Sequence, residues 1–229
     1  MTVLALSRIT RISFRARSWA PWAFVLSDVL SLELALILGC LLRLAMSVWF
    51  PFELGPELYR GLAIGILIIP LVFGLTGLYP GYGLGALERF RGRIYATFLV
   101  FAVLIGWDYL ILARQWSRGI LLGTLLFALL IPPVVEAWVR EALSLRGWWG
   151  IPVAILGAGR TGQTVARCLN RDRSLGMVPV VVLDDDRAKW NQVLEGVPVL
   201  GPLDRVGELG EDVKGIILAM PGLDRPRLM

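Results

Sequence analysis

The residues with the clearest chemical potential are three glycines and an acidic triplet. Gly157-Ala158-Gly159-Arg160-Thr161-Gly162 follows the apolar run Pro152–Leu156, and Asp184-Asp185-Asp186 follows a second apolar run, Val178–Leu183. A G-x-G-x-x-G spacing between a strand and a helix suits the cradling of a pyrophosphate. The first glycine makes the tight turn, the second lets backbone approach the phosphates, and the third permits close helix–strand contact. Gly157, Gly159, Arg160 and Gly162 are therefore the candidate cofactor-binding residues, together with Asp184, which stands where a carboxylate would read ribose hydroxyls. A nucleotide or NAD is the cofactor such a pattern would take. The competing reading is that the glycines serve close packing and the triplet is a solvated turn. No nucleophile, acid–base pair or hydride-acceptor site stands beside the fingerprint, so no catalytic residue is named and binding or regulation is favoured over turnover.

Other chemistries are excluded by what the chain lacks. Its 229 residues contain no histidine, which removes imidazole acid–base catalysis, Ser–His and Cys–His nucleophile pairs and His-rich metal sites. Cys40 and Cys168 form no C-x-x-C spacing, so neither a zinc site nor a disulfide framework is expected, and no metal ligand is assigned.

The elements that must position the glycine loop alternate strand and helix. They are Pro152–Leu156, a helix over Thr161–Arg171, Val178–Leu183, then apolar strand candidates at Val197–Leu200 and Gly215–Met220. That alternation reads as an α/β, Rossmann-like parallel sheet over 151–229. At about 80 residues the unit looks incomplete for a doubly wound domain, and the sequence is expected to be truncated.

The preceding 150 residues differ in kind. Hydrophobic residues make up 56% of the chain and charged ones only 18%, against roughly 45–50% and about 25% in soluble domains, so a lipid bilayer is the expected partner. Four apolar stretches approach the roughly 20 residues a membrane-crossing helix needs: Trp22–Trp49, Leu58–Tyr79, Ile94–Ala113 and Gly119–Val139. The expected organisation is a basic amino-terminal segment over 1–21, a four-helix transmembrane domain over 22–139, a linker over 140–150, and the Rossmann-like domain. Residues 1–150 hold 13 basic and 8 acidic residues while 151–229 hold 10 of each, so the net positive charge flanks the spans and does not point to nucleic acid. Arg8, Arg11, Arg15 and Arg17 before the first span, and Arg89, Arg91 and Arg93 before the third, place both termini in the cytoplasm by the positive-inside rule, with Arg114 and Arg118 dissenting.

Charges inside the spans call for partners. Arg43 and Asp108 are at similar depth and are expected to pair. For Asp28, Glu33 and Glu136, interhelical hydrogen bonding is favoured over a proton or ion pathway. Gly61 and Gly65 form the better small-xxx-small contact face. The segment Ala86–Arg93 reads as a basic amphipathic stretch after a turn, with its arginines at lipid headgroups. Gly81-Tyr82-Gly83 lacks the Thr-Val pair of a potassium filter and falls on the cytoplasmic side, which weakens a channel reading.

Three segments carry a family likeness: Leu78-Tyr-Pro-Gly-Tyr-Gly, Gln115-Trp-Ser-Arg-Gly, and Ile155-Leu-Gly-Ala-Gly-Arg-Thr-Gly with Leu183-Asp-Asp-Asp and Glu195-Gly-Val-Pro-Val-Leu-Gly. In these the chain resembles the polyprenyl-phosphate hexose-1-phosphate transferases of the undecaprenyl-phosphate galactose phosphotransferase type. The resemblance implies a four-helix membrane region and a cytoplasmic Rossmann-like domain in a bacterial inner membrane. It also implies a later catalytic domain, absent from these residues, whose Asp-Glu pair and magnesium transfer sugar phosphate from a UDP-sugar to undecaprenyl phosphate. By the same resemblance the part present would anchor, form a homodimer, or regulate by sensing a nucleotide or UDP-sugar. The opening is similar as well to that of membrane-bound nucleotide-sugar dehydratases. A nucleotide-gated channel or transporter subunit is the third expectation.

Overall fold

The computed structural model describes residues 19–49, 57–111 and 116–220. The amino-terminal arginines, Glu53, Arg114 and the last nine residues lie outside it. The chain folds as two compact units, a helical one over Ser18–Ala142 and a sheet-bearing one that holds Leu143–Met229.

Among the described residues, three helices are long and apolar enough to cross a membrane. They are α1 (Ala20–Ala45, continued by a 3-10 turn to Val48), α4 (Ala86–Leu110) and α5 (Arg118–Leu145). The expected second span, Leu58–Tyr79, is instead two short helices, α2 (Glu57–Ile66) and α3 (Ile68–Leu75). Pro70 has no N–H for the Ile66 carbonyl and its ring crowds that oxygen, so the helix restarts with the proline in its first turn, where it is tolerated. The apolar part, Gly61–Leu75, is 15 residues or about 22 Å, short of the roughly 30 Å hydrocarbon core.

A second departure concerns Ala86–Arg93. It is not a separate amphipathic segment but the first two turns of α4, entered from Gly85, whose amide donates to the Glu88 carboxylate at 3.3 Å. Nothing after Gly85 interrupts helical hydrogen bonding, so the helix starts eight residues before Ile94. Likewise α5 runs through Leu145, into the stretch read as linker.

The helical core gathers Leu32, Leu36, Ile66, Phe73, Phe101 and Leu104. Leu26, Leu30, Ile37 and Leu41 of α1 face outward and are more than half exposed. A helix apolar on both its inner and outer faces suits a lipid surround, since water would oppose the outer one. Gly61 and Gly65 pack within this unit against the Trp116 ring and the Leu104 side chain. The closest backbone approach lies elsewhere, where a Cβ on Gly39 would come within 2.6 Å of the Thr124 amide nitrogen and one on Gly123 within 3.1 Å of the Gly39 Cα.

The second unit is built on β1 (Ile151–Leu156), α6 (Arg160–Arg171), β2 (Met177–Leu183), β3 (Val193–Leu194), β4 (Val197–Gly201) and β5 (Gly215–Leu218). Strand order is β3-β4-β2-β1-β5. β1 runs parallel to β2 and β5, β2 parallel to β4, and β3 makes an antiparallel hairpin with β4. The chain thus winds outward from β1 through β2 to β4, then returns to β1's other side with β5, so the order reverses between β1 and β5. Alternate residues of β1 fill opposite faces: Val153 and Ile155 pack with Ala166 and Leu169 of α6, and Ala154 and Leu156 pack on the side of Leu203, Val206 and Leu209. Strands buried on both faces explain the continuous apolar runs. β3, two residues long, was not expected, because so short a pairing leaves no alternation to read.

Candidate functional site

The glycine loop lies at the carboxyl end of β1, where the strand order reverses between β1 and β5, the place at which open α/β sheets present ligand crevices. Its three glycines have separate local reasons. Gly157 has φ +107°, which L side chains rarely adopt, and a Cβ there would sit 2.7 Å from the Met220 side chain. A Cβ on Gly162 would collide with the Gly157 carbonyl oxygen, so this glycine lets α6 begin tight against the loop. Gly159 precedes α6 with ordinary extended backbone, and a Cβ on it would meet nothing within 4 Å. Internal packing therefore requires the first and third glycines but not the second.

Two loop amides are already used. Gly157 donates to the Leu183 carbonyl at 2.7 Å and Ala158 to an Asp184 carboxylate oxygen at 2.6 Å. The first-turn amides of α6 that follow have no partner within the helix and, with the helix dipole, favour an anion. Arg160 stands exposed in that same turn, where a cation opposes the dipole unless an anion joins it.

Asp184 is held inside the fold. Besides Ala158 it accepts from the Asp186 amide at 2.8 Å and from Lys189 Nζ at 3.2 Å. Burial pushes its carboxyl up, but the two amides and the ammonium outweigh that and hold it below the usual carboxylate range. Asp185 accepts from the Leu203 amide at 2.9 Å and Asp186 from the Ala188 amide at 3.0 Å. The acidic triplet thus ties β2 to the glycine loop and to the connections on either side. Gly157, Ala158 and Asp184 are brought together, with Gly159 and Arg160 on the open side.

The helical unit holds a charged cluster that the sequence showed only as scattered residues. Asp28 of α1 pairs with Arg93 of α4 at 2.7 Å and accepts a hydrogen bond from the Tyr79 hydroxyl. Glu136 of α5 pairs with Arg140 and, at 3.6 Å, with Arg89. Arg93 also lies 4.8 Å from the centre of the Phe73 ring, and Arg140 lies 4.7 Å from that of Phe24. The reading of Arg89 and Arg93 as headgroup contacts is corrected: both are buried, because every third or fourth residue of a continuous α4 turns inward. Asp108, expected opposite Arg43, accepts from the Trp116 amide at 2.9 Å, while the Arg43 stem lies against Gly119.

A family model described as a CoA-binding domain matches residues 75–228, more than half of the chain. The chain belongs to this CoA-binding domain family. The family's span takes in α4, α5 and all five strands, so the glycine loop sits inside it. Over 77 residues, 32% of this chain, the sequence is 35% identical to the capsular polysaccharide biosynthesis protein CapD of Staphylococcus aureus. That likeness spans 13% of CapD's length.

Proposed function

We propose that this chain serves bacterial polysaccharide biosynthesis as a membrane-anchored, nucleotide-binding module, with the glycine loop as the binding site. The observation that carries the binding is the open face of Gly159: a glycine that packing does not require, at the strand-order reversal, beside the α6 amino terminus and Arg160. The CoA-binding family supports a phosphate-bearing nucleotide as ligand, and the likeness to CapD supports the biosynthetic setting. The three long apolar helices support anchorage in the inner membrane with the sheet unit in the cytoplasm. In this reading the broken α2–α3 pair completes a four-helix membrane region. The module works within a sugar-phosphate transferase acting on undecaprenyl phosphate, with the resemblance at Leu78–Gly83 as support, and as a homodimer.

The ligand is CoA, NAD, UDP or a UDP-sugar, its pyrophosphate against the Gly159 backbone and Arg160. Asp184 orders the loop through Ala158, with its remaining capacity turned to a ribose hydroxyl. Isothermal titration of the detergent-solubilised chain with each ligand tests this. At least one binds below millimolar concentration, Gly159→Val abolishes that binding, and thermal stability is unchanged. Absence of binding by all of them, or full binding by Gly159→Val, overturns the reading.

A further inference from the structure

Of the three carboxylates expected to bond between helices, two do so within the helical unit: Asp28 meets Arg93 and Glu136 meets Arg89. The third, Glu33 of α1, receives no hydrogen bond and no ion pair from any described residue. It is the fourteenth of the 26 residues of α1, about 20 Å along a helix of about 39 Å. If α1 crosses a bilayer, this carboxyl stands near the middle of a hydrocarbon core of roughly 30 Å, beyond the reach of either headgroup layer. Lipid tails offer it neither donor nor acceptor, so its partner belongs to a helix outside this bundle.

The residues around Glu33 indicate which helix. Leu26, Leu30, Glu33 and Ile37 follow one another at steps of four, three and four residues, and Leu44 lies one heptad beyond Ile37. That is the seam spacing of paired helices, in which a single polar residue fixes the register. The four apolar members are each half exposed or more on the outside of the unit, and Glu33 is partly exposed beside them. Copies of this chain in one membrane share one orientation, so outward groups meet at equal depth. The Asp28–Arg93 pair sets α1 against α4 and puts Glu33 level with Phe98 and Leu99, while the approach of Gly39 to Thr124 puts it level with Leu130 of α5. All three are exposed and apolar, as are Ile68 and Leu71 on the outside of α3. Tyr95, the nearest outward hydroxyl among the described residues, lies about one turn nearer the start of α4. The polar group that a second copy presents at this depth is therefore its own Glu33. A carboxyl group that holds its proton both donates and accepts, so it is its own complement.

We infer that the outward seam of α1 is an interface with a second copy of this chain, two parallel α1 helices closing on a two-fold axis with their Glu33 carboxyl groups hydrogen-bonded to each other. The inference rests on the membrane and homodimer readings above and adds to them the face and the polar contact.

The test uses the full chain. Alkaline washing of membranes comes first, and release into buffer overturns the membrane reading and the interface with it. In Cys40→Ala/Cys168→Ala, which removes both native thiols, single cysteines are then placed at Leu30→Cys and Ile37→Cys on the seam and at Val134→Cys on the outside of α5. Oxidation of the membranes links the seam positions into disulfide dimers and leaves Val134→Cys monomeric. Association in liposomes, read by energy transfer between copies labelled at their amino termini, weakens about three- to twentyfold in Glu33→Leu, the scale of interhelical hydrogen bonds in lipid. Glu33→Gln, whose amide also donates and accepts, keeps most of it. Energy transfer no greater than that of unassociated copies overturns the homodimer reading together with the interface. Association without seam disulfides, seam disulfides to other proteins only, undiminished association in Glu33→Leu, or an equal loss in Tyr95→Phe overturns the interface and leaves the homodimer reading standing.

Discussion

In the helical unit Asp28, Glu136, Arg89, Arg93 and Arg140 are all 5% exposed or less, whereas in the sheet unit the Arg167 side chain is 62% exposed and that of Lys189 36%. The same residue types thus carry different energetic weight. Charges enclosed by apolar helices have no water to fall back on, so each depends on its partners, and loss of one partner leaves an uncompensated buried ion. Charges on the sheet unit keep water as an alternative, and their pairs add little. Polar groups hold the helices to one another in the first unit and shape a loop in the second.

The largest expected effect breaks the buried side of this contrast. Arg93→Ala strands the Asp28 carboxylate and costs about 3–5 kcal/mol, read as a fall in the thermal midpoint of the detergent-solubilised chain. The double variant Asp28→Leu/Arg93→Met recovers most of that loss, because removing both charges removes the penalty. Equal damage by the single and double variants would show that the pair is not what the bundle depends on.

A middle-sized effect separates two glycines of one loop. Gly162→Ala forces a methyl into the Gly157 carbonyl and costs about 1–3 kcal/mol, while Gly159→Ala leaves stability within about 0.5 kcal/mol. Urea unfolding followed by tryptophan fluorescence distinguishes them, and equal costs would contradict the separate reasons given for the two positions.

The smallest effect is a pH dependence at Asp184. Its folded carboxyl titrates below the unfolded one, near pH 4, so its stabilising contribution is present above about pH 4 and is lost as pH falls through the lowered folded value. Asp184→Asn removes that acid-side slope and lowers stability at neutral pH by about 1–2 kcal/mol. Acid titration of both proteins, followed by far-ultraviolet circular dichroism, reads the difference. The exposed Arg167–Glu195 pair serves as the contrast, since its removal shifts nothing measurable.

The glycine loop, the strands beside it and three of the long helices were legible in the sequence, because each depends on local rules: apolar run length, strand–helix alternation and glycine where the chain turns. The broken second helix was legible in principle from Pro70, but hydropathy over Leu58–Tyr79 masked it. Asp184 stands out in the sequence as the acidic residue after an apolar run, yet its hydrogen bond to Ala158 spans 26 residues of sequence and no spacing rule reports it. The Asp28–Arg93 pair spans 65 residues, and Arg93 alone read as an interfacial charge.

Composition and periodicity by themselves determined that one part of this chain is an apolar helical assembly and the other a parallel sheet with a glycine turn. Tertiary structure alone decided which charges meet and which of the three glycines faces open space. The reason is physical: hydrophobic periodicity acts over one or two turns of chain, whereas ion pairing, close backbone approach and cavity shape are set by segments that become neighbours only after the elements pack.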